Sequence, residues 1–296
     1  MRQTWIAILT ILAAAASWAQ SVPPAHEMEV ILLGTGYPVP YPDRAGPSTA
    51  VVVNGKYFVV DAGRAVTLRL AALKPRMPFI TAVLLTHLHS DHTGGLPDLC
   101  NTAWVMGRTV PFELYGPEGT QEMIDGMMKF FAADIHFRRE LRENLTAEGA
   151  AEGTKVNVHA VHEGVVYRDA DVTITAFEVD HRPVTPAFGY KFEAGGKTVV
   201  ISGDTAPSPN LVKFASGADI LVHEVYAPGV FPNRRLERYH TSAEQVGRVA
   251  SEAKVKKLVL THIIRPEDGA RIHDLAAKGY QGPIVVGTDL MRFRVE

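Results

Sequence analysis

Positions 86 to 92 read Thr86-His87-Leu88-His89-Ser90-Asp91-His92, which puts four potential metal ligands within six residues. Imidazole and carboxylate suit zinc and its first-row neighbours, and neither donor alone fixes the choice of metal. An apolar run from Phe79 to Leu85, bounded by Pro78, reads as a short buried strand before this stretch, and Thr93-Gly94-Gly95-Leu96-Pro97 reads as a helix entrance after it. At the end of an extended segment alternate side chains share a face, so His87, His89 and Asp91 are expected together, with His92 turned toward a neighbouring point. Such a geometry can serve two metal ions. The competing reading is a His-rich surface loop; three imidazoles and one carboxylate between a buried strand and a glycine turn favour the metal site.

Two metals need more donors than this motif supplies. The ends of later apolar segments provide candidates: Asp180 and His181 after Val172 to Val179, Asp204 in Ser202-Gly203-Asp204-Thr205 after Val199-Val200-Ile201, and His262 in Leu260-Thr261-His262 after Lys257-Leu258-Val259. Each lies just past a buried strand, on loops that would gather along one rim of a sheet.

The elements that must position these groups follow from the pattern. Glu29 to Gly36 reads as a strand ending in a glycine turn, a Pro-rich loop follows, and strands Ser48 to Val53 and Tyr57 to Val60 are joined by the hairpin signal Asn54-Gly55. Arg64 to Lys74 reads as a helix stopped by Pro75, and another helix runs to about Val105. After Gly116-Pro117, Met123, Ile124, Met127, Met128 and Phe131 recur at helical spacing, a stripe read as core before it is read as a cleft wall. Arg138 to Glu152 reads as an exposed connection. Five strand segments between Lys155 and Ser202 come next, and from Pro209 on helix and strand alternate: a helix near Leu211, strand Ile220 to Val222, helix Ser242 to Ala253, strand Lys257 to Leu260, a helix near Asp274 to Lys278, and strands Ile284 to Val286 and near Met291 to Val295. The pattern implies two related layers packed face to face.

The chain has 296 residues, of which 46% are hydrophobic and 21% charged, enough for one large α/β domain with a full core. Residues 1–19 differ from the rest: a weakly basic start, an apolar run from Ile6 to Ala16, and Ser17-Trp18-Ala19 with small residues where a signal peptidase cuts. The expectation is a secretory signal, a catalytic domain over 20–296 and a secreted or periplasmic location, since the apolar run falls short of the ~20 residues that span a bilayer. No membrane anchor is expected elsewhere. Cys100 has no partner for an intramolecular disulfide, and a net charge of −2 gives no sign of a nucleic-acid-binding surface.

Together the motifs resemble the metallo-β-lactamase superfamily, which implies an α/β (α+β) fold, the four-layer αββα sandwich, with a two-metal centre between its sheets. The resemblance assigns His87, His89 and His181 to one metal, Asp91, His92 and His262 to the other, and Asp204 as the bridge. It makes Asp61, in Val60-Asp61-Ala62-Gly63, the aspartate that steadies the ligand loop. Leu33-Gly34-Thr35-Gly36, Gly94-Gly95-Leu96-Pro97, His223-Glu224 and Tyr239-His240-Thr241-Ser242 are similar to the tRNA 3′-processing nucleases and their secreted arylsulfatase and phosphodiesterase relatives. In that branch the residue matching His240 contacts the scissile group and can donate a proton, and the one matching Glu224 orients it.

The expected cofactors are two divalent ions, Zn2+ ahead of Mn2+ or Fe. They would leave the centre electropositive, drawing an anionic ester and lowering the pKa of bound water to about 7. The expected activity is hydrolysis of a phosphodiester or aryl sulfate by metal-bound hydroxide, with a lactonase or other carbonyl-ester hydrolase as the alternative. A tRNA-processing nuclease and a non-catalytic metal-binding protein rank below both. The nuclease is set back by the leader, by the lack of a basic tract, and by the short His181 to Asp204 connection, where the nuclease family carries a long substrate-clamping insert. A small anionic ester is thus the expected substrate, nucleic acid is not expected, and a homodimer through the Met-rich helix is open. A zinc β-lactamase is disfavoured because its pattern has Cys where this chain has Asp204.

Overall fold

The computed structural model describes residues 27–73, 80–141, 151–228 and 235–296. Residues 1–26, where a leader is expected, and the part of the Arg138 to Glu152 connection at 142–150 lie outside the described residues. One sheet has the order β14 (Arg292–Arg294), β1 (Met28–Gly34), β2 (Ser48–Val53), β3 (Lys56–Val60), β4 (Ile80–Leu84), β5 (Phe112–Gly116), β6 (Val156–Ala160). The other has the order β13 (Ile284–Val286), β12 (Leu258–Ile264), β11 (Ile220–Tyr226), β10 (Lys197–Ile201), β9 (Phe188–Ala194), β8 (Thr173–Glu178), β7 (Gly164–Arg168). Strands adjacent in sequence make the antiparallel part of each sheet apart from β14, which pairs with β1 from the far end of the chain, and helical crossovers make the parallel part, from β3 through β6 in one and from β10 through β13 in the other.

Period-2 alternation along the strands divides the apolar residues between three cores. Leu32, Phe58 and Leu84 meet Phe188, Tyr190, Phe192 and Val222 between the sheets. Ile31, Leu33, Val59 and Val83 point the other way, under helices α1 (Val66–Ala72), α3 (Leu96–Val105) and α4 (Thr120–Phe130). On the outer face of the second sheet Leu221, Leu258 and Leu260 pack with Leu211, Val246 and Ile272 of α6 (Pro209–Phe214), α7 (Ala243–Glu252) and α8 (Gly269–Ala277). Strands buried on both faces must be apolar at nearly every position, and each such side chain contributes about 1.5–3 kcal/mol, so the runs read as continuous. The result is the αββα sandwich expected from the sequence.

Several elements differ from that reading. Arg138 belongs to a helix, α5 (Ala132–Leu141), rather than to a connection. The helix near Asp274 begins earlier, at Gly269, because its apolar face is carried by Ile272 and Ala276. In α4 Ile124 and Met127 are buried and Met123 and Met128 pack against the same core, so the Met stripe faces inward. Most consequential for the site, β11 continues through His223 and Glu224, and β12 continues through His262. The Asn54-Gly55 turn has both residues at positive φ, 48° and 79°, as a tight hairpin requires.

Candidate metal centre

Five strands bring residues to the same rim. β3 delivers Asp61, β4 delivers the 86–92 motif, β8 delivers His181, β10 delivers Asp204, and β12 delivers His262. The extended reading of the motif holds only as far as His89. A single helical turn, α2 (Ser90–Thr93), starts at Ser90, so Asp91 and His92 leave from a turn rather than from alternate faces of a strand.

Two clusters result. His87, His89, His181 and Asp204 converge, and so do Asp91, His92 and His262, with the ligand atoms of each cluster within 4.8 Å of one another. His89 Nδ1 lies 2.9 Å from His87 Nε2 and 3.4 Å from His181 Nε2. In the second cluster Asp91 Oδ2 lies 3.6 Å from His92 Nε2 and 3.4 Å from His262 Nε2, while Asp204 Oδ2 lies 3.3 Å and 3.2 Å from the same two nitrogens. A tetrahedral zinc with bonds of about 2.0–2.1 Å has donor-to-donor edges of roughly 3.3 Å. The spacing is that of ligands around an ion. Asp204 belongs to the first cluster and reaches both histidines of the second, as a bridging carboxylate must.

Unpartnered atoms give a second test. Asp91 Oδ2, His92 Nε2 and His262 Nε2 are buried and have no hydrogen-bond partner, an expensive state for polar atoms without a cation. Asp204, His240 and His262 form a third possible set. The orphaned atoms favour Asp91, His92 and His262 over it, because no ring nitrogen of His240 is left buried and bare. The residues present therefore fit divalent ions, and these His/Asp clusters could bind metal.

The surroundings fix these side chains. Asp61, itself at φ 60°, accepts from the Thr86 amide at 2.8 Å and from the Thr86 hydroxyl, and its other oxygen pairs with His92 Nδ1 at 2.8 Å. The Thr86 hydroxyl is also 3.0 Å from His87 Nδ1, so one carboxylate orients both ends of the motif. His181 Nδ1 faces the Tyr239 carbonyl at 2.8 Å. Tyr190 donates to the Leu85 carbonyl at 2.7 Å, tying the second sheet to the strand end before the motif. Gly46 and Gly63 let three backbone segments meet: a Cβ at either would collide with the Asp91 carbonyl.

Burial holds the protonated forms of His87, His89 and His181 below the usual imidazole range, which keeps their lone pairs available. For His92 burial acts in the same direction, but Asp204 and Asp61 outweigh it and raise its pKa. His240 follows the second pattern: burial opposes its charge, yet Glu224 and Asp204 push it up to about 9. Glu224 Oε1 lies 2.9 Å from His240 Nδ1 and accepts from the amides of Thr205 and Thr241, both at 3.1 Å. Glu224 thus holds His240 at the edge of the clusters from inside strand β11.

The remaining histidines stay outside. His162 is exposed between β6 and β7; His159 pairs with Glu113; His136 and His273 lie beside Glu140 and Asp274 on the surface. His26 lies outside the described residues. Asp180 is paired with Arg182 rather than aimed at the clusters. Arg265 is bound to Glu267, and Cys100 is buried in the core under the helices of the first sheet, outside the clusters. Sequence reading missed Thr86 and Tyr190. Thr86 lies within the motif, but a hydroxyl carries no ligand signal there, and nothing local marks Tyr190.

A family model described as the beta-lactamase superfamily domain matches residues 56–263, which contain all the histidines and aspartates of both clusters. The chain belongs to the metallo-β-lactamase superfamily. Within it, Ribonuclease Z of Mycobacterium marinum is 41% identical over 282 residues, covering 90% of this chain and 99% of that protein. Ribonuclease Z of Mycobacterium bovis is 40% identical over 280 residues, covering 90% and 98%. These relatives put this superfamily member on the tRNase Z-like branch. Two solved structures share the fold: human tRNase Z, short form, with a TM-score of 0.70 at 23% identity over 91% of this chain and 100% of that one, and the metallo-β-lactamase fold protein YhfI from Bacillus subtilis, with 0.71 at 22% over 90% and 99%.

By family and by donor set, this superfamily member is a metal-dependent hydrolase. The relatives correct two expectations. The order that placed a small phosphodiester or aryl sulfate ahead of the RNA enzyme is overturned, and so is the expectation that nucleic acid is not a partner. Two physical arguments had carried that order. The short His181 to Asp204 connection is seen here as the β9–β10 hairpin, and 41% identity over 90% of this chain and 99% of a Ribonuclease Z outweighs its shortness. Whole-chain net charge averages over the surface, whereas phosphate binding depends on the local field, which bound cations at the centre would dominate. The third argument, the leader, concerns residues outside the described structure.

Proposed function

We propose that this chain is a ribonuclease of the tRNase Z-like kind, hydrolysing a phosphodiester bond in RNA, with the 3′ side of a tRNA precursor as its substrate. The observation that carries the reading is 40–41% identity with Ribonuclease Z across nearly the whole of those proteins. His87, His89 and His181 would hold one ion, Asp91, His92 and His262 the other, and Asp204 would bridge, with zinc favoured by the His-rich donor set. When bound, two such ions supply Lewis-acid polarisation of a phosphoryl oxygen and a lowered pKa for water. Around them the protein's own groups have distinct tasks. Asp61 and Thr86 hold the motif in register. His240, whose charge burial opposes and the Glu224 carboxylate favours, has Nδ1 committed to Glu224 and Nε2 left to donate to the departing oxygen.

The test is incubation of the zinc-loaded protein with a 3′-extended tRNA precursor and with bis-aryl phosphate as a small-ester control. Discrete cleavage of the precursor, abolished in Asp204→Ala, is the expected result. A zinc-loaded protein that leaves every RNA intact refutes the reading.

A further inference from the structure

We propose that Asp289, in the turn before β14, is a positioning residue for the Asp91, His92 and His262 half of the centre, acting through the backbone of Thr35 and Ala45. The inference rests on the two-metal reading above. The Asp289 side chain is only 6% exposed and accepts four hydrogen bonds. Oδ1 takes the Thr35 amide at 2.9 Å and the Thr35 hydroxyl at 2.8 Å; Oδ2 takes the Ala45 amide at 2.7 Å and Arg69 Nε at 2.8 Å. The carboxylate thus clamps both ends of the loop that leaves β1.

Each arm of the clamp ends at the same half of the centre. The Thr35 carbonyl accepts from the Ile263 amide at 2.9 Å, the bond next to His262. His262 sits at φ 47° and is the extra residue of a bulge, since Glu224 pairs with Thr261 and Val225 with Ile263. A bulge re-aims a side chain, and a non-glycine residue in the left-handed region keeps that conformation only when neighbours over-determine it. Thr35 supplies such a constraint. Along the second arm, Ala45 precedes Gly46, which packs against Gly63 and against the Asp91 carbonyl so closely that neither glycine tolerates a Cβ. The Gly46 amide donates to the Arg64 carbonyl and the Gly63 amide to the Pro47 carbonyl, closing the seam, and the Ala62 amide donates to the His92 carbonyl. Neither arm makes a hydrogen bond at His87, His89 or His181: Thr86 and the Tyr239 carbonyl hold His87 and His181.

Asp219 provides the control. Its side chain is similarly buried, at 9% exposure, and accepts from the Thr198 amide and Lys256 at the start of β10 and β11, away from the clusters. The experiment titrates zinc into metal-stripped, full-length wild type, Asp289→Asn and Asp219→Asn by calorimetry, with zinc content measured after dialysis. An Asn at 289 must point its NH2 at one of the two donor pairs, so one arm is lost while volume is kept. The expected result is a second zinc bound about 10- to 100-fold more weakly in Asp289→Asn, with the first unchanged and Asp219→Asn like wild type. Thr35→Val, which removes the hydroxyl link to Asp289 together with the bond from Arg44 to the same oxygen, is expected to shift the second zinc in the same direction by less, and it carries the test if Asp289→Asn does not fold. Wild-type affinity for both ions in Asp289→Asn, or an equal loss in Asp219→Asn, overturns the assignment alone. A wild type that takes up no second zinc overturns it together with the two-metal reading.

Discussion

The rim that carries the clusters and the rim at the opposite end of the strands use similar residues and leave them in different states. At the far rim Lys56, beside the β2–β3 turn of one sheet, pairs with Asp169 and Asp171 from the β7–β8 turn of the other, Asn54 donates to Asp171, and Asp169 also accepts from Tyr167 and from the amides of Asp171 and Val172. Both carboxylates are fully engaged with protein partners. At the near rim Asp91, His92 and His262 are more deeply buried yet keep bare donor atoms, and two residues there, Asp61 and His262, have left-handed backbone. Both rims join the same pair of sheets. Satisfied charge at one end contributes stability, and unsatisfied charge at the other is capacity reserved for a ligand.

Substitutions should separate the two behaviours. The largest effect is expected from Asp204→Ala, which removes the group common to both clusters: zinc should be lost from both, and turnover should fall by at least about 1,000-fold, since an ion's electrostatic contribution is several kcal/mol. Retained zinc at two per chain would break the comparison at its centre. His240→Ala should lower kcat by about 100- to 10,000-fold while zinc content stays at the wild-type level, which steady-state kinetics with metal analysis can check. Asp61→Asn should weaken zinc binding by about 10- to 100-fold, because the amide meets His92 Nδ1 in place of a carboxylate oxygen.

The smallest effect belongs to the far rim. Burial would raise the Asp169 carboxyl, but Lys56, the two amides and Tyr167 outweigh it and hold it at about 2. A depressed carboxyl stabilises the fold fully above the ordinary value near 4, and the contribution is lost as pH falls toward 2. Asp169→Asn should therefore lower Tm by about 2–4 °C at neutral pH, for a loss near 1 kcal/mol discounted for the partly solvated Lys56, with no change in zinc content. The gap from wild type should close below pH 4; a gap that persists to pH 2 would show that charge is not what this rim contributes.

The donor motif was legible because ligand chemistry restricts residue type and the strand before it restricts placement. His87, His89, Asp91 and His92 could be read from one short stretch, and His181, Asp204 and His262 from their positions after apolar runs. The apolar runs also disclosed both sheets, because strands buried on two faces cannot hide polar residues. Other features were not legible. Glu224 and His262 lie inside strands rather than beyond them, and the bulge that aims His262 arises from pairing between β11 and β12. Net charge and a short connection pointed away from RNA, and whole-length likeness to Ribonuclease Z reversed that inference.

By itself the sequence determined which atoms are available: the donors, the apolar periodicity that makes two doubly buried sheets, and the hairpin turn at Asn54-Gly55. Local chemistry and local conformational preference are enough for those. Tertiary structure alone decided that Asp204 reaches both clusters, that Asp61 steadies the motif through Thr86, and that Asp289 is clamped to Thr35 from 254 residues away. Each of these depends on strands distant in sequence ending on one rim, which burial of both sheets produces and no local pattern records.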